Sequence, residues 1–209
     1  MQHTFSIREI IRRSWATLMH HKTLSAQLVG TLLVLQILQW VLAVAQGMKT
    51  TWFYLLLNIL LNIVAVVIGI GFNAIFLKLA KGEPAGYRDI VQPLRTIVRY
   101  LAVSLVVAVG VLIGFALLIV PGVYLLLRYL FAPYMALDTD SDALTIISRS
   151  AKLTRGIKGK LALLLLVLVV INILGFLALG VGLLVTIPLS ALVMMHTYLS
   201  LKHRVEEAA

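Results

Sequence analysis

Residues 98–138 read VRYLAVSLVVAVGVLIGFALLIVPGVYLLLRYLFAPYMALD. Between Arg99 and Asp138 the only charge is Arg128. Pro121-Gly122 is the one turn signal in the stretch. It splits the run into two apolar segments, 98–120 and 122–138. At 1.5 Å per helical residue the first crosses about 30 Å of hydrocarbon and the second covers about 25 Å. The expectation is a helical hairpin in a membrane.

Working outward, four more apolar segments follow the same logic: 24–46, 52–79, 160–180 and 182–201. Gly47-Met48-Lys49-Thr50-Thr51 joins the first pair, and Gly180-Val181-Gly182 joins the last. The predicted fold is all-α, a single membrane domain over 1–209 with six transmembrane helices in three hairpins. Ala43-Val44-Ala45 resembles a signal-peptide cleavage site. The long basic stretch before the first span argues for a retained anchor instead.

Composition agrees: 61% of the 209 residues are apolar and only 12% charged. A soluble chain carries about one quarter charged residues. These values exclude a cytosolic enzyme, a nucleic-acid-binding domain and a secreted disulfide scaffold. With no cysteine, thiolate metal sites and Cys nucleophiles are excluded too.

The net charge of +10 has a topological explanation. Sixteen of the eighteen basic residues fall before the first span, in the two long loops or after the last span. Lys49 lies on the opposite side and Arg128 lies within a span. The positive-inside rule then puts both termini in the cytoplasm, as in a multi-pass protein of the bacterial inner membrane. Trp52, Tyr54 and Tyr124 fall at the outer interface, and Tyr100, Tyr134 and Tyr198 at the inner one.

The long cytoplasmic segments have helical patterns of their own. Ser6-Ile7-Arg8-Glu9 has capping-box spacing. The N-terminal helix over 1–23 carries Ile7, Ile10, Ile11, Ser14, Trp15 and Leu18 on one face, with Arg8, Arg12 and Arg13 away from it. A third-loop helix, capped by Asp140, Ser141 or Asp142, carries Leu144, Ile147 and Ala151 on one face and Arg149, Lys152 and Arg155 on the other. Ile10-Ile11-Arg12-Arg13-Ser14 matches Ile146-Ile147-Ser148-Arg149-Ser150. Tyr87-Arg88-Asp89-Ile90-Val91 is a weaker version. The unit is read as an amphipathic interfacial helix followed by a hairpin, used three times. Its basic residues suit anionic lipid.

Polarity inside the spans is where chemistry is expected. All eight acids lie in cytoplasmic segments or at their edges. No His-Glu-x-x-His, acidic pair or Ser-His-Asp set is present, so neither a metal, a cofactor nor an enzymatic activity is expected. His20-His21 points its two rings about 100° apart, a poor metal site. Arg128 stands about 9 Å below a turn at Gly122. Its expected partners are carbonyls, amides, water or lipid phosphate, and with Tyr124 it forms a candidate anion or lipid-headgroup site. Pro133 leaves the carbonyl of Tyr129 without its helical donor. Asn58, Asn62, Ala65, Gly69 and Asn73 share one face, either a packing seam or a polar pathway. Gly110 and Gly114 form a GxxxG, and Asn172 and Gly175 extend the seam. His196 near the inner interface reads as a satisfied or snorkelling histidine.

Pro121-Gly122-Val123-Tyr124, Arg128-Tyr129, Ala132-Pro133, the helix reaching Ser150, Leu153 and Gly156, then Gly180-x-Gly182, Pro188 and Tyr198 resemble bacterial membrane families. These are families related to the membrane domain appended to some glycerophosphodiester phosphodiesterases. Phe5-Ser6-Ile7 and Trp15 are similar in style. The resemblance implies a six-helix inner-membrane protein. It implies no activity, because the catalytic phosphodiesterase sequence is absent from these residues, and it transfers no residue role. The functional expectation is a non-enzymatic protein that binds lipid or a membrane partner, including a second copy of itself. The alternative is a small-molecule or lipid transporter or export component.

Overall fold

The computed structural model describes residues 6–46, 52–178 and 182–207. Every regular element among them is helical. They are α1 (Ile7–His20), α2 (Lys22–Gln46), α3 (Trp52–Lys81), a short 3-10 turn (Tyr87–Ile90), α4 (Leu94–Leu117), α5 (Ile119–Tyr129), α6 (Ala132–Asp138), α7 (Ala143–Leu153), α8 (Lys158–Leu177) and α9 (Leu183–Glu207). Six stretches are long and apolar enough to cross a membrane: Lys22–Val44, Leu55–Lys81, Leu94–Leu117, Ile119–Asp138, Lys158–Leu177 and Leu183–Val205. Outward residues such as Val34, Ile37, Leu105, Leu112, Leu166 and Val169 are exposed. An apolar exterior of this extent belongs in lipid, so the chain is a multi-pass membrane protein. The links Gly47–Thr51 and Gly180-Val181, with Lys49, lie outside the described residues, as does the Tyr54 side chain.

The turn that opened the reading is displaced. The chain reverses at Leu118, whose backbone is extended (φ −165°, ψ 158°), and α5 begins at Ile119. Pro121 sits in the first turn of α5, where a missing N–H costs nothing because it would have had no helical partner. Gly122 serves packing instead of turning. A Cβ on Gly114 would lie 2.9 Å from the Gly122 Cα, so the two glycines let α4 and α5 touch backbone to backbone. Gly110, the other half of the GxxxG, faces open space. Gly175 plays the same part on α8, where an added Cβ would meet the Thr186 hydroxyl at 2.6 Å. Asn172 there donates across to Ser190 Oγ at 2.8 Å.

The fourth span is broken in two. Pro133 sits at the start of α6, and the helix is interrupted at Leu130 and Phe131. Two side chains of the α7 segment take over the carbonyl of Arg128, one residue before the one expected: Thr154 Oγ1 donates to it at 3.0 Å and Ser150 Oγ at 3.5 Å.

That contact corrects the face assigned to α7. Ile146, Ser150 and Leu153 are its buried residues. Leu144 is exposed, and Ile147 and Ala151 are half-buried. A serine marks the inward stripe because a backbone carbonyl satisfies its hydroxyl. Among the three proposed caps, Asp142 is the one used, accepting from Thr145 N at 2.9 Å. In α1 the buried residues are Ile10, Ser14 and Leu18, whereas Trp15 is exposed. Ser6 occupies the N-cap position without a side-chain bond, so the capping box does not form. Glu9 pairs instead with Arg13 at 2.6 Å, one helical turn on.

The helices pack in a cyclic order. The 3-10 turn rests on α3, α7 rests on α5 and α6, and α1 rests on α9. The three closing helices, α3, α6 and α9, end in a shared pattern of aromatic, two residues, then leucine: Phe76 to Leu79, Tyr134 to Leu137 and Tyr198 to Leu201. Phe76 and Tyr198 are fully buried, and the Tyr198 ring lies 6.1 Å from that of Phe131.

α7 and α1 are seated by similar contacts. Six residues before Tyr134 is Arg128, and six before Tyr198 is Leu192. The buried Ser150 of α7 reaches the carbonyl of Arg128 directly. The buried Ser14 of α1 lies 3.0 Å from His196 Nδ1, and the same nitrogen lies 3.0 Å from the corresponding carbonyl, Leu192 O, so the tautomer decides which of the two it bonds. This confirms His196 as a satisfied histidine.

Candidate functional site

Arg128 heads a groove of about 530 Å³ where α5 meets the α7–α8 turn. Its basic wall is Arg128, Lys152, Arg155 and Lys158, and Tyr124, Leu144 and Ile147 supply apolar surface. No acidic residue lines it. Among the described residues none of the four cations makes a salt bridge, although the ion pairs formed elsewhere engage Arg13, Lys78, Lys81, Arg99 and Lys202.

Local structure explains the convergence. Gly156, with φ +79°, takes a left-handed backbone that turns the chain sharply between α7 and α8. Lys152 and Arg155 come in at the end of α7, and Lys158 opens α8. The Lys158 ammonium sits 4.2 Å above the Tyr124 ring, and the Arg128 guanidinium 5.5 Å from the Tyr129 ring. Tyr124 lines the groove together with Lys158 and Arg128. Arg128 and Lys158 are half-buried, whereas Lys152 and Arg155 are exposed. The groove has an inner and an outer pair of cations.

Two expectations change here. With the turn at Leu118, Arg128 lies ten residues along the span, about 15 Å and not 9 Å. Tyr124 keeps company with Lys158 and does not stand apart from the basic loops, because α7 and α8 both pack against α5. Sequence reading had placed Tyr124 and Lys158 at opposite membrane faces.

The other candidates stay separate. Arg8 and Arg12 are exposed on α1, and Arg13 pairs with Glu9. Arg149 is exposed and donates to Ser141 Oγ at 3.3 Å. The asparagine face of α3 does not reach Arg128. Asn62 donates to Asn58 O at 2.8 Å and Asn73 to Gly69 O at 3.0 Å, both within their own helix and not across to another. Asn58 and Asn62 border a shallow apolar groove of about 410 Å³ beside Leu101.

Sequence reading missed one cluster. Asp138, counted only as an edge acid, has a side chain 1% exposed. Lys81 reaches it at 2.5 Å and Lys202 at 2.7 Å, and the Tyr198 hydroxyl donates to it at 2.7 Å. The ends of α3, α6 and α9 are thus tied at one carboxylate. The available signal was its position directly after the apolar run Met135-Ala136-Leu137. A second cleft of about 630 Å³ lies beside this knot, lined by Arg13, Lys81, Lys202 and His203 with Glu9 and Glu83. Its cations are largely matched by acids, unlike those beside Arg128.

Around these sites three carboxyls, the part-buried Asp89 and the exposed Asp140 and Asp142, are held below the ordinary carboxylate value. The hydrogen bond from Lys78 does this for Asp89, that from Arg99 for Asp140, and those from Thr145 for Asp142. These acids are committed to local pairs and leave the Arg128 groove uncompensated.

No family model, curated protein or solved structure matches this chain.

Proposed function

We propose that the chain is a non-enzymatic protein of the bacterial inner membrane that binds anionic lipid through the Arg128 groove. The observation that carries this is four cations in one groove without a carboxylate. Packing alone does not call for them. The α1 seat on α9 has a similar buried serine, Ser14, with an uncharged leucine, Leu192, where α5 has Arg128. A half-buried guanidinium grouped with three further cations calls for a counter-charge, and a lipid phosphate is the anion the membrane offers. Tyr124, Leu144 and Ile147 complete a headgroup site with an apolar border.

The topology belongs to the same reading: three hairpins, basic interfacial helices and both termini on the cytoplasmic side. A reporter fused after Lys49 is expected to signal from the periplasm, and a cytoplasmic signal would overturn the orientation. The resemblance to the membrane domain of glycerophosphodiester phosphodiesterases supports six spans and adds no activity. The transport alternative needs the Asn58, Asn62 and Asn73 face to line a wet path. The Asn62 and Asn73 amides bond carbonyls of α3 itself, and the groove beside Asn58 and Asn62 is apolar, which favours binding over transport.

Native mass spectrometry of the purified chain tests the site. The chain is expected to retain phosphatidylglycerol over phosphatidylcholine. Arg128→Gln combined with Lys158→Gln should weaken phosphatidylglycerol at least about tenfold, since both cations that meet the phosphate are lost. Unchanged retention in a variant with an unchanged thermal midpoint would remove the groove as the lipid site.

A further inference from the structure

The four cations are arranged in two pairs, and the pairs differ in depth. Arg128 and Lys158 share the groove with Tyr124, over whose ring the Lys158 ammonium sits, and both are half-buried. Lys152 and Arg155 stand one turn of chain apart at the end of α7, exposed at the rim. A single phosphodiester brings one negative charge. Placed against the inner pair, it leaves the rim pair without a partner, in a groove with no carboxylate to neutralise it.

We infer that the groove takes a lipid carrying two phosphates, one at Arg128 and Lys158 and the second at Lys152 and Arg155. This rests on the lipid-binding reading above and narrows it to a ligand class. Charge complementarity favours two anionic centres over one. Arginine grips a phosphate through paired N–H donors, and lysine adds a point charge, so each pair suits one phosphate. The apolar border favours a membrane-anchored ligand over a soluble one: Leu144 is 77% exposed at the groove, and Ile119, Val120 and Val123 lie exposed along α5. Acyl chains follow that surface while the phosphates meet the cations.

The test is competition between lipids on the full chain in detergent, read by native mass spectrometry. Cardiolipin, with two phosphodiesters, is compared with phosphatidylglycerol, with one. Cardiolipin is expected to bind about tenfold more tightly, and Lys152→Gln with Arg155→Gln should erase that advantage by weakening cardiolipin about tenfold more than it weakens phosphatidylglycerol. The rim residues are exposed, so this variant is expected to fold. Equal affinity for the two lipids would overturn the two-phosphate inference and leave the anionic-lipid reading standing. Equal retention of phosphatidylcholine and phosphatidylglycerol would sink both. Displacement of cardiolipin by equimolar pyrophosphate would assign the groove to a soluble ligand and overturn the lipid.

Discussion

Asp138→Asn is expected to be the most destabilising single-atom change in the protein. The carboxylate is almost wholly buried and receives Lys81, Lys202 and the Tyr198 hydroxyl. Removing its charge leaves two ammonium groups facing each other around a neutral amide. Breaking a buried ion pair by deleting one partner costs about 3–5 kcal/mol. The lysines are 29% exposed, so water recovers part of that, and about 3 kcal/mol is expected. The thermal midpoint of the purified chain in detergent reads it. The triple variant Asp138→Leu, Lys81→Met, Lys202→Met separates charge from packing. It is expected to recover most of the loss, because a well-packed apolar replacement of a buried ion cluster is often neutral or better. A midpoint for Asp138→Asn within about 1 °C of the parent would show that the knot contributes nothing.

Gly71→Ala is expected to come second. A Cβ there would run into the carbonyl oxygen of Ile90, with the Ile90 carbonyl carbon at 2.5 Å. The obstacle is backbone, so no rotamer change relieves it. The 3-10 turn must lift from α3, and the Lys78–Asp89 pair at 2.7 Å, which spans the same junction, is strained with it. Overpacking of this kind costs about 1–3 kcal/mol. The control lies on the same helix. Gly69 has nothing within 4 Å of an added Cβ, so Gly69→Ala is expected to be neutral or to gain about 0.5 kcal/mol from helix propensity. Of two alanines two residues apart, only the one at Gly71 should lower the thermal midpoint. Hydrogen exchange over Tyr87–Ile90 should rise only for Gly71→Ala. Equal effects from both would mean that the turn does not depend on that close approach.

The six spans were legible because bilayer thickness sets a length that composition alone can meet. The boundary at Leu118 was not. Pro121-Gly122 is a strong local turn signal, but a proline is equally at home in a first helical turn, and only the approach of Gly114 shows what Gly122 is for. The inward face of α7 was misread for a related reason. Sequence patterning treats Ser150 as polar and Leu144 as apolar, whereas burial depends on whether a hydroxyl finds a carbonyl, and the carbonyl of Arg128 lies 22 residues away in the chain. Arg128 itself stood out at once, as the sole charge in its stretch. Its companions did not, because Lys152, Arg155 and Lys158 looked like any other basic loop.

By itself, then, the sequence determined the helical class, the number of spans and Arg128 as an anomaly, since each follows from one-dimensional runs of apolar residues and their interruptions. The tertiary structure decided which residues share a site. It made one groove of Arg128, Tyr124 and the end of α7, and one knot of Lys81, Asp138 and Lys202. The physical reason is that charge pairing and hydroxyl satisfaction act across space between residues far apart in sequence. No periodicity along the chain carries them.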